Sequence, residues 1–234
     1  MNNALLILAG GSGKRFKSAS KIPKQYIKIG SNNIIEHFLD NLELNIFNII
    51  VIACNNKMKT KYLSNIKRKY NYHNIHFVNS GYNRQSSSKK GIYFLKKFKP
   101  TKVLIHDAAR PLVTNNLIKK LINNLNLYKV CAPYIIHYDN IRNENKEIKL
   151  IKKLKFIQTP QAFFYKDIFN AHRKNKNFNA KDDITLTEKI GIKPKLILGN
   201  KKNIKLTTKQ DLEIYKLLKS KIIKYGIGYD IHKV

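Results

Sequence analysis

The stretch Leu5-Leu6-Ile7-Leu8-Ala9-Gly10-Gly11-Ser12-Gly13-Lys14-Arg15, with Ile22-Pro23-Lys24-Gln25-Tyr26 shortly after it, decides how the rest of the chain is read. Leu5 to Leu8 is a short apolar run of the kind found in strands buried on both faces, and it empties into closely spaced glycines and a Lys-Arg pair. Glycines let main-chain N–H groups approach a polyphosphate, a helix start behind them favours anions, and Lys14, Arg15 and Lys24 supply cations. Two familiar phosphate loops do not fit. A P-loop needs Ser or Thr after Gly-Lys, where Arg15 stands, and Gly where Leu8 stands; the dinucleotide-binding fingerprint needs a glycine at Phe16.

Outward from this loop, apolar runs at 49–53, 75–78 and 102–105 read as buried strands. They alternate with helical spacing at Ile34, Ile35, Phe38, Leu39 and Leu42 and with a polar helix over 58–70. That alternation implies the α/β class with a mostly parallel sheet covered on both faces. Ligands of such sheets bind beyond the carboxyl ends of the strands, where Gly10 and Gly81 both fall. Further on, Thr114 is placed to cap a helix bearing Leu117, Ile118, Leu121, Ile122 and Leu125. Val130 to His137 is rich in strand formers, and Asp139 to Ile157 alternates around Asn143-Glu144-Asn145-Lys146 as a protruding hairpin would. Residues 195–199 read as a strand, and Thr208 with Asp211 as a capping box for a last helix holding Leu212, Tyr215 and Leu218.

Two polar strings follow predicted strands. Ser80-Gly81-Tyr82-Asn83-Arg84-Gln85-Ser86-Ser87 is either part of a site or simple N-capping by a serine cluster. His106-Asp107-Ala108-Ala109-Arg110-Pro111 places a carboxylate where it can hold Mg²⁺ or a sugar hydroxyl and an arginine where it can grip a phosphate. Its alternative is an Asp107–Arg110 ion pair closing a turn.

The length of 234 residues suits one α/β domain or two small ones, and 43% hydrophobic residues is ample for a core. The 46 basic against 14 acidic residues, net +32, raise the question of nucleic acid. The excess is mostly Lys scattered among Asn and Ile, three residues with A/T-rich codons, so base composition accounts for it about as well as selection. Sequence-specific nucleic-acid binding is therefore not expected, although non-specific adhesion at low salt is. Cys54 and Cys131 both sit in apolar runs, as small buried hydrophobes in a reducing compartment do. The N-terminus lacks a signal-peptide pattern and no apolar stretch approaches a membrane span, so a soluble, cytoplasmic protein is expected.

Leu-Ala-Gly-Gly-x-Gly-x-Arg followed by Pro-Lys resembles the opening of the sugar-nucleotidyltransferase-like enzymes. Within that group, Pro23-Lys24-Gln25, His106-Asp107-Ala108-Ala109-Arg110-Pro111, Phe156-Ile157-Gln158-Thr159-Pro160-Gln161-Ala162-Phe163 and Asn203-Ile204-Lys205-Leu206-Thr207 resemble the 2-C-methyl-D-erythritol 4-phosphate cytidylyltransferases, from about Leu5 to Leu218. The resemblance implies a three-layer, Rossmann-like nucleotide-diphospho-sugar transferase fold over 1–222. It also implies transfer of CMP from CTP to the polyol phosphate, with Mg²⁺ bridging the triphosphate. Ala9, Gly10, Gly11, Gly13, Gly81, Arg84, Ser87 and Asp107 would then hold the nucleotide, with Asp107 also a ligand of the Mg²⁺ that comes with CTP. Arg15, Lys24 and Lys205 would stabilise the transition state. Arg110, Thr159 and Lys205 would position the acceptor. A homodimer is implied, because the family's hairpin arm crosses to a second subunit. The chain departs from the pattern at Asn140, where the family has Thr, and at Ile151, where it has a phosphate-holding Arg. Lys152 or Lys153 is the nearest replacement, and strand alternation lets only one of them share the relevant face.

The tail, 223–234, carries Tyr225-Gly226-Ile227-Gly228-Tyr229-Asp230-Ile231-His232, which resembles the first strand of 2-C-methyl-D-erythritol 2,4-cyclodiphosphate synthase. There the resemblance makes Asp230 and His232 metal ligands; two ligands alone are not expected to hold a metal here, and a truncated, split or partial bifunctional protein is the reading. The rivals are a cytidylyltransferase for another polyol phosphate, such as ribitol phosphate, and a basic nucleic-acid-binding protein on a decayed scaffold.

Overall fold

The computed structural model describes residues 2–11, 16, 22–137, 154–175 and 180–219. Strand β1 (Asn3–Ala9) is buried almost throughout, as its apolar run requires. The hairpin β2 (Lys28–Ile29) and β3 (Asn32–Asn33) leads into α1 (Ile34–Asp40), whose start is a capping box: Glu36 N–H donates to Asn33 Oδ1 at 3.0 Å and Asn33 N–H to Glu36 Oε2 at 2.7 Å. Next come β4 (Ile49–Cys54), α2 (Asn56–Lys69) capped by Asn55, β5 (Ile75–Asn79) and α3 (Arg84–Leu95). The chain then forms β6 (Lys102–Asp107), α4 (Asn115–Asn124) capped by Thr114, and β7 (Val130–His137). After 138–153 follow β8 (Leu154–Ile157), β9 (Gln161–Phe164), α5 (Tyr165–Lys174), α6 (Asp183–Glu188), β10 (Lys195–Leu198) and α7 (Lys209–Lys219).

Among the described residues the main sheet has eight strands in the order β10-β7-β9-β6-β1-β4-β5, with β8 continuing the edge of β7 beyond β9. β1 lies parallel between β4 and β6, and only β9 and β8 oppose their neighbours. Strand alternation sorts the core into two layers. Leu5, Ile7 and Ile52 pack with α1, α2 and α4 through Phe38, Ile66 and Ile118. Leu6, Val51 and Ile105 pack on the other face with α3, α5 and α6 through Ile92, Ile168 and Ile184. A smaller cluster of Ile34, Leu206 and Tyr215 ties α7 to the body. This is the three-layer α/β fold that the sequence implies. Connections run outward from β1 through β4 to β5 and then return to β6 on its other side, so the order reverses at β1 and opens a crevice at the strand ends.

The predicted helix over 58–70 begins two residues earlier because Asn55 caps it. Cys54 and Cys131 are buried free thiols, as read from the sequence. The predicted turn of the hairpin and the boundary at 222/223 lie outside the described residues. So do Gly13, Arg15, Asn140, Ile151, Asp230 and His232.

Candidate active site

A cavity of about 910 Å³ opens at the carboxyl ends of β1, β4, β5 and β6, lined by Gly10, Gly11, Lys24, Gly81, Arg84, Ser87, Asp107 and Lys205 among others. Close approach explains two of its glycines. A Cβ on Gly10 would fall on the Ser80 side chain, and one on Gly81 would fall on Ser86, so both turns need glycine to bring their backbones this near. Gly11 is different: a Cβ there would meet nothing among the described residues, so close approach does not explain this glycine. Gly81 N–H donates to Ser87 Oγ at 2.9 Å, and Ser87 Oγ donates in turn to Asn83 O at 2.8 Å. Asn83 is the N-cap of α3 and Ser86 completes the capping box, its Oγ accepting from Asn83 N–H at 3.2 Å, so one serine of the cluster shares in capping while Ser87 faces the site.

Asp107 is the charged centre. Arg84 Nε donates to its Oδ1 at 3.1 Å and Lys205 Nζ to its Oδ2 at 2.6 Å. Burial alone would raise its pKa; the two cations outweigh burial and hold it well below the usual carboxylate range. Arg84 also donates through Nη1 to Asp183 Oδ2 at 2.6 Å. Asp183 is fully buried, and Ser88 Oγ donates to its Oδ1 at 2.6 Å while His172 Nε2 lies 3.2 Å from the same oxygen. Burial raises this carboxyl as well, and Arg84, His172 and Ser88 bring it down to about 2. The Ser88–His172–Asp183 cluster is sealed from solvent, so it fixes Arg84 and offers no nucleophile.

Behind Asp107 lies a second buried relay. Its N–H donates to Thr159 Oγ1 at 3.1 Å, which leaves the Thr159 hydroxyl to donate to His106 Nδ1, also 3.1 Å away. His106 Nε2 lies 2.9 Å from Arg110 O, a group that can only accept. These partners require the neutral tautomer protonated on Nε2, and burial lowers the His106 pKa to about 4. The imidazole stacks on Phe38 with ring centroids 4.5 Å apart.

A second cavity, about 640 Å³, lies between the β7–β8 pair and the segment around Asn203, with Arg110, His137, Gln158 and Lys205 in its wall. The Asp107–Arg110 ion pair considered from sequence is not how these side chains are used. Arg110 N–H closes the turn on Asp107 O at 3.0 Å, but the guanidinium Nη1 donates to Asn203 O at 2.7 Å. Arg110 Nε is buried with no acceptor among the described residues, and burial lowers its pKa. Lys205 lines both cavities.

The family profile for 2-C-methyl-D-erythritol 4-phosphate cytidylyltransferase (IspD) matches residues 3–219. The chain belongs to this family. A bifunctional enzyme IspD/IspF of Pelagibacter ubique is 35% identical over all of this chain and 61% of its own length. A 2-C-methyl-D-erythritol 4-phosphate cytidylyltransferase of Thermosipho melanesiensis is 31% identical over 90% of this chain and 94% of that protein. The crystal structure of 4-diphosphocytidyl-2C-methyl-D-erythritol synthase from Anaerococcus prevotii superposes with a TM-score of 0.80 at 26% identity, covering 93% of this chain and 95% of the other. The chain thus spans about three fifths of the length of the bifunctional relatives it matches.

Of the residues singled out in the sequence, the IspD fold gathers Gly10, Gly11, Lys24, Gly81, Arg84, Ser87, Asp107 and Lys205 around one cavity and sets Arg110 in the other. Ala9 and Thr159 are buried behind the walls: Ala9 offers its carbonyl to Gln25 and Tyr26, and the Thr159 hydroxyl is taken up by the His106–Asp107 relay. Sequence reasoning missed Gln25, His106 and Asp183 as parts of the site. Gln25 and His106 stand inside quoted strings, whereas Asp183 meets Arg84 across 99 residues of chain, which no local pattern records.

Proposed function

We propose that this chain transfers a cytidylyl group from CTP to 2-C-methyl-D-erythritol 4-phosphate, releasing pyrophosphate, as an enzyme of isoprenoid precursor biosynthesis. The family match over residues 3–219 carries the reading, and a cation-lined cavity at the strand ends is its physical counterpart. A phosphate oxygen of the acceptor attacks the α-phosphorus in line; the new P–O bond forms as the α–β bridging bond breaks. No protein nucleophile is needed, so the chain's task is positioning and charge stabilisation. Gly10 and Gly11 offer backbone to the phosphates, Lys24 and Arg15 offset the charge that develops, and Ser87 and Arg84 orient the nucleoside. Lys205, shared by the two cavities, bridges nucleotide and acceptor phosphate, with Arg110 on the acceptor side.

Both Asp107 oxygens are engaged by cations, and no three His, Cys, Asp or Glu side chains gather anywhere among the described residues. The donor set therefore suits a Mg²⁺ carried by the triphosphate itself, with Asp107 as at most one protein ligand. Bound there, such an ion supplies charge neutralisation on the phosphates. Dimerisation through the hairpin arm and a cytoplasmic location belong to the same proposal; no helix among the described residues is long and apolar enough to cross a membrane. We assign 223–234 to the start of a synthase unit like that of the bifunctional relatives, whose match covers the whole chain where the family profile stops at 219.

The test is pyrophosphate release with CTP and Mg²⁺, using 2-C-methyl-D-erythritol 4-phosphate, ribitol phosphate and no acceptor in parallel. Release with the erythritol phosphate alone is expected; release with ribitol phosphate, or with none, contradicts the assignment. Lys24→Ala should lower kcat by roughly two orders of magnitude, the scale of losing one preorganised donor.

A further inference from the structure

We propose that Gln25 is a positioning residue for the nucleotide: its side-chain amide fastens the glycine loop to the turn that carries Lys24. Gln25 is 3% exposed and sits in the short 3-10 turn Lys24–Tyr26. Its Nε2 donates to Ala9 O at 2.6 Å and to Gly11 O at 2.8 Å, the two carbonyls that flank Gly10. Both partners are carbonyl oxygens, so the orientation of the amide is fixed by chemistry: only the nitrogen end can satisfy them. Tyr26 adds its hydroxyl to Ala9 O at 3.1 Å, whereas the hydrogen bond at Gly11 O comes from Gln25.

The consequence follows from peptide geometry. In a planar trans peptide the C=O of Ala9 and the N–H of Gly10 point in opposite directions. Holding the carbonyl on Gln25 therefore turns the Gly10 N–H away from it. Neither Gly10 nor Gly11 N–H finds an acceptor among the described residues, and both glycines line the larger cavity. Donors held in place with nothing to bind are what a phosphate site requires before its ligand arrives. Because Gln25 is the next residue after Lys24, the same two hydrogen bonds also hold the backbone of Lys24 beside the glycine loop. One amide thus holds the glycine donors and the backbone from which Lys24 reaches the triphosphate.

This inference rests on reading the larger cavity as the CTP site, and its test separates the two. Gln25→Glu keeps the shape but faces two carbonyls with an acceptor; Gln25→Met keeps the bulk and donates nothing. CTP affinity is measured by calorimetry with Mg²⁺, beside steady-state kinetics in both substrates and melting temperature. A displaced loop is expected to weaken CTP binding about tenfold in both variants and to lower kcat/KM for CTP about a hundredfold. The KM for the acceptor should stay within about twofold, since its groups lie in the other cavity; a merely structural role would scale kcat with the folded fraction and leave the CTP constant unchanged. Wild-type CTP affinity in folded Gln25→Met overturns the proposal even if Gln25→Glu fails to fold. Should the wild-type protein bind CTP yet transfer to no acceptor, the transfer reading falls and the calorimetric comparison still decides the role of Gln25.

Discussion

The two cavities are built in different ways. The larger one is walled by the turns that directly follow β1, β5 and β6, and its central carboxylate, Asp107, is already matched by Arg84 and Lys205. The smaller one is walled by side chains of β7 and β8 and the segment around Asn203, and its arginine keeps a buried Nε without an acceptor among the described residues. A site made of strand ends is fixed by the sheet itself and compensates its own charge. Each arginine keeps one buried nitrogen without a partner among the described residues, Arg84 Nη2 in the larger cavity and Arg110 Nε in the smaller, so the two sites differ in how a carboxylate is matched and not in spare donors. Lys205 belongs to both, so losing it should damage what neither cavity holds alone.

The largest expected effect tests the rigidity of the first cavity. Asp183→Asn removes the carboxylate that fixes Arg84, and breaking a buried pair from one side costs about 3–5 kcal/mol. Urea unfolding should show that loss; a change near zero would mean that Asp107 and the neutral amide hold Arg84 without the Asp183 charge. Acid titration gives the next effect. His106 is held neutral with a pKa of about 4, below the ordinary 6.5, so the unfolded chain binds the proton first as pH falls. Stability is then full above pH 6.5 and declines by up to about 3 kcal/mol toward pH 4. Most of the decline should be absent in a folded His106→Gln variant, the rest, near pH 4, coming from carboxyls such as Asp107 and Asp183 whose pKa is lowered in the fold. Smaller still is Gly10→Ala, expected to cost about 1–3 kcal/mol through its collision with Ser80. The same change in a Ser80→Gly background should recover most of it, and failure to recover would move the constraint elsewhere.

The sheet was legible in the sequence because buried parallel strands write themselves as continuous apolar runs, and β1, β4 and β6 all do. The walls of the larger cavity were legible for a related reason: its groups follow those strands within a few residues. What escaped were the supports. Gln25 looks like one more polar residue in a turn until its two carbonyl partners are known. Asp182 and Asp183 are adjacent carboxylates, yet the first is half-buried and caps α6 while the second is fully buried under Arg84, a division set by tertiary packing alone. Thr159 was read as positioning the acceptor, and its place in the His106 relay is a support that no local pattern records.

The most direct test of the division between cavities is the pair of KM values, for CTP and for 2-C-methyl-D-erythritol 4-phosphate, in Lys205→Met beside Arg110→Met. Lys205→Met is expected to raise both KM values and to lower kcat by about two orders of magnitude, whereas Arg110→Met raises the acceptor KM alone. An Arg110→Met enzyme with weakened CTP binding and an unchanged acceptor KM would contradict the account.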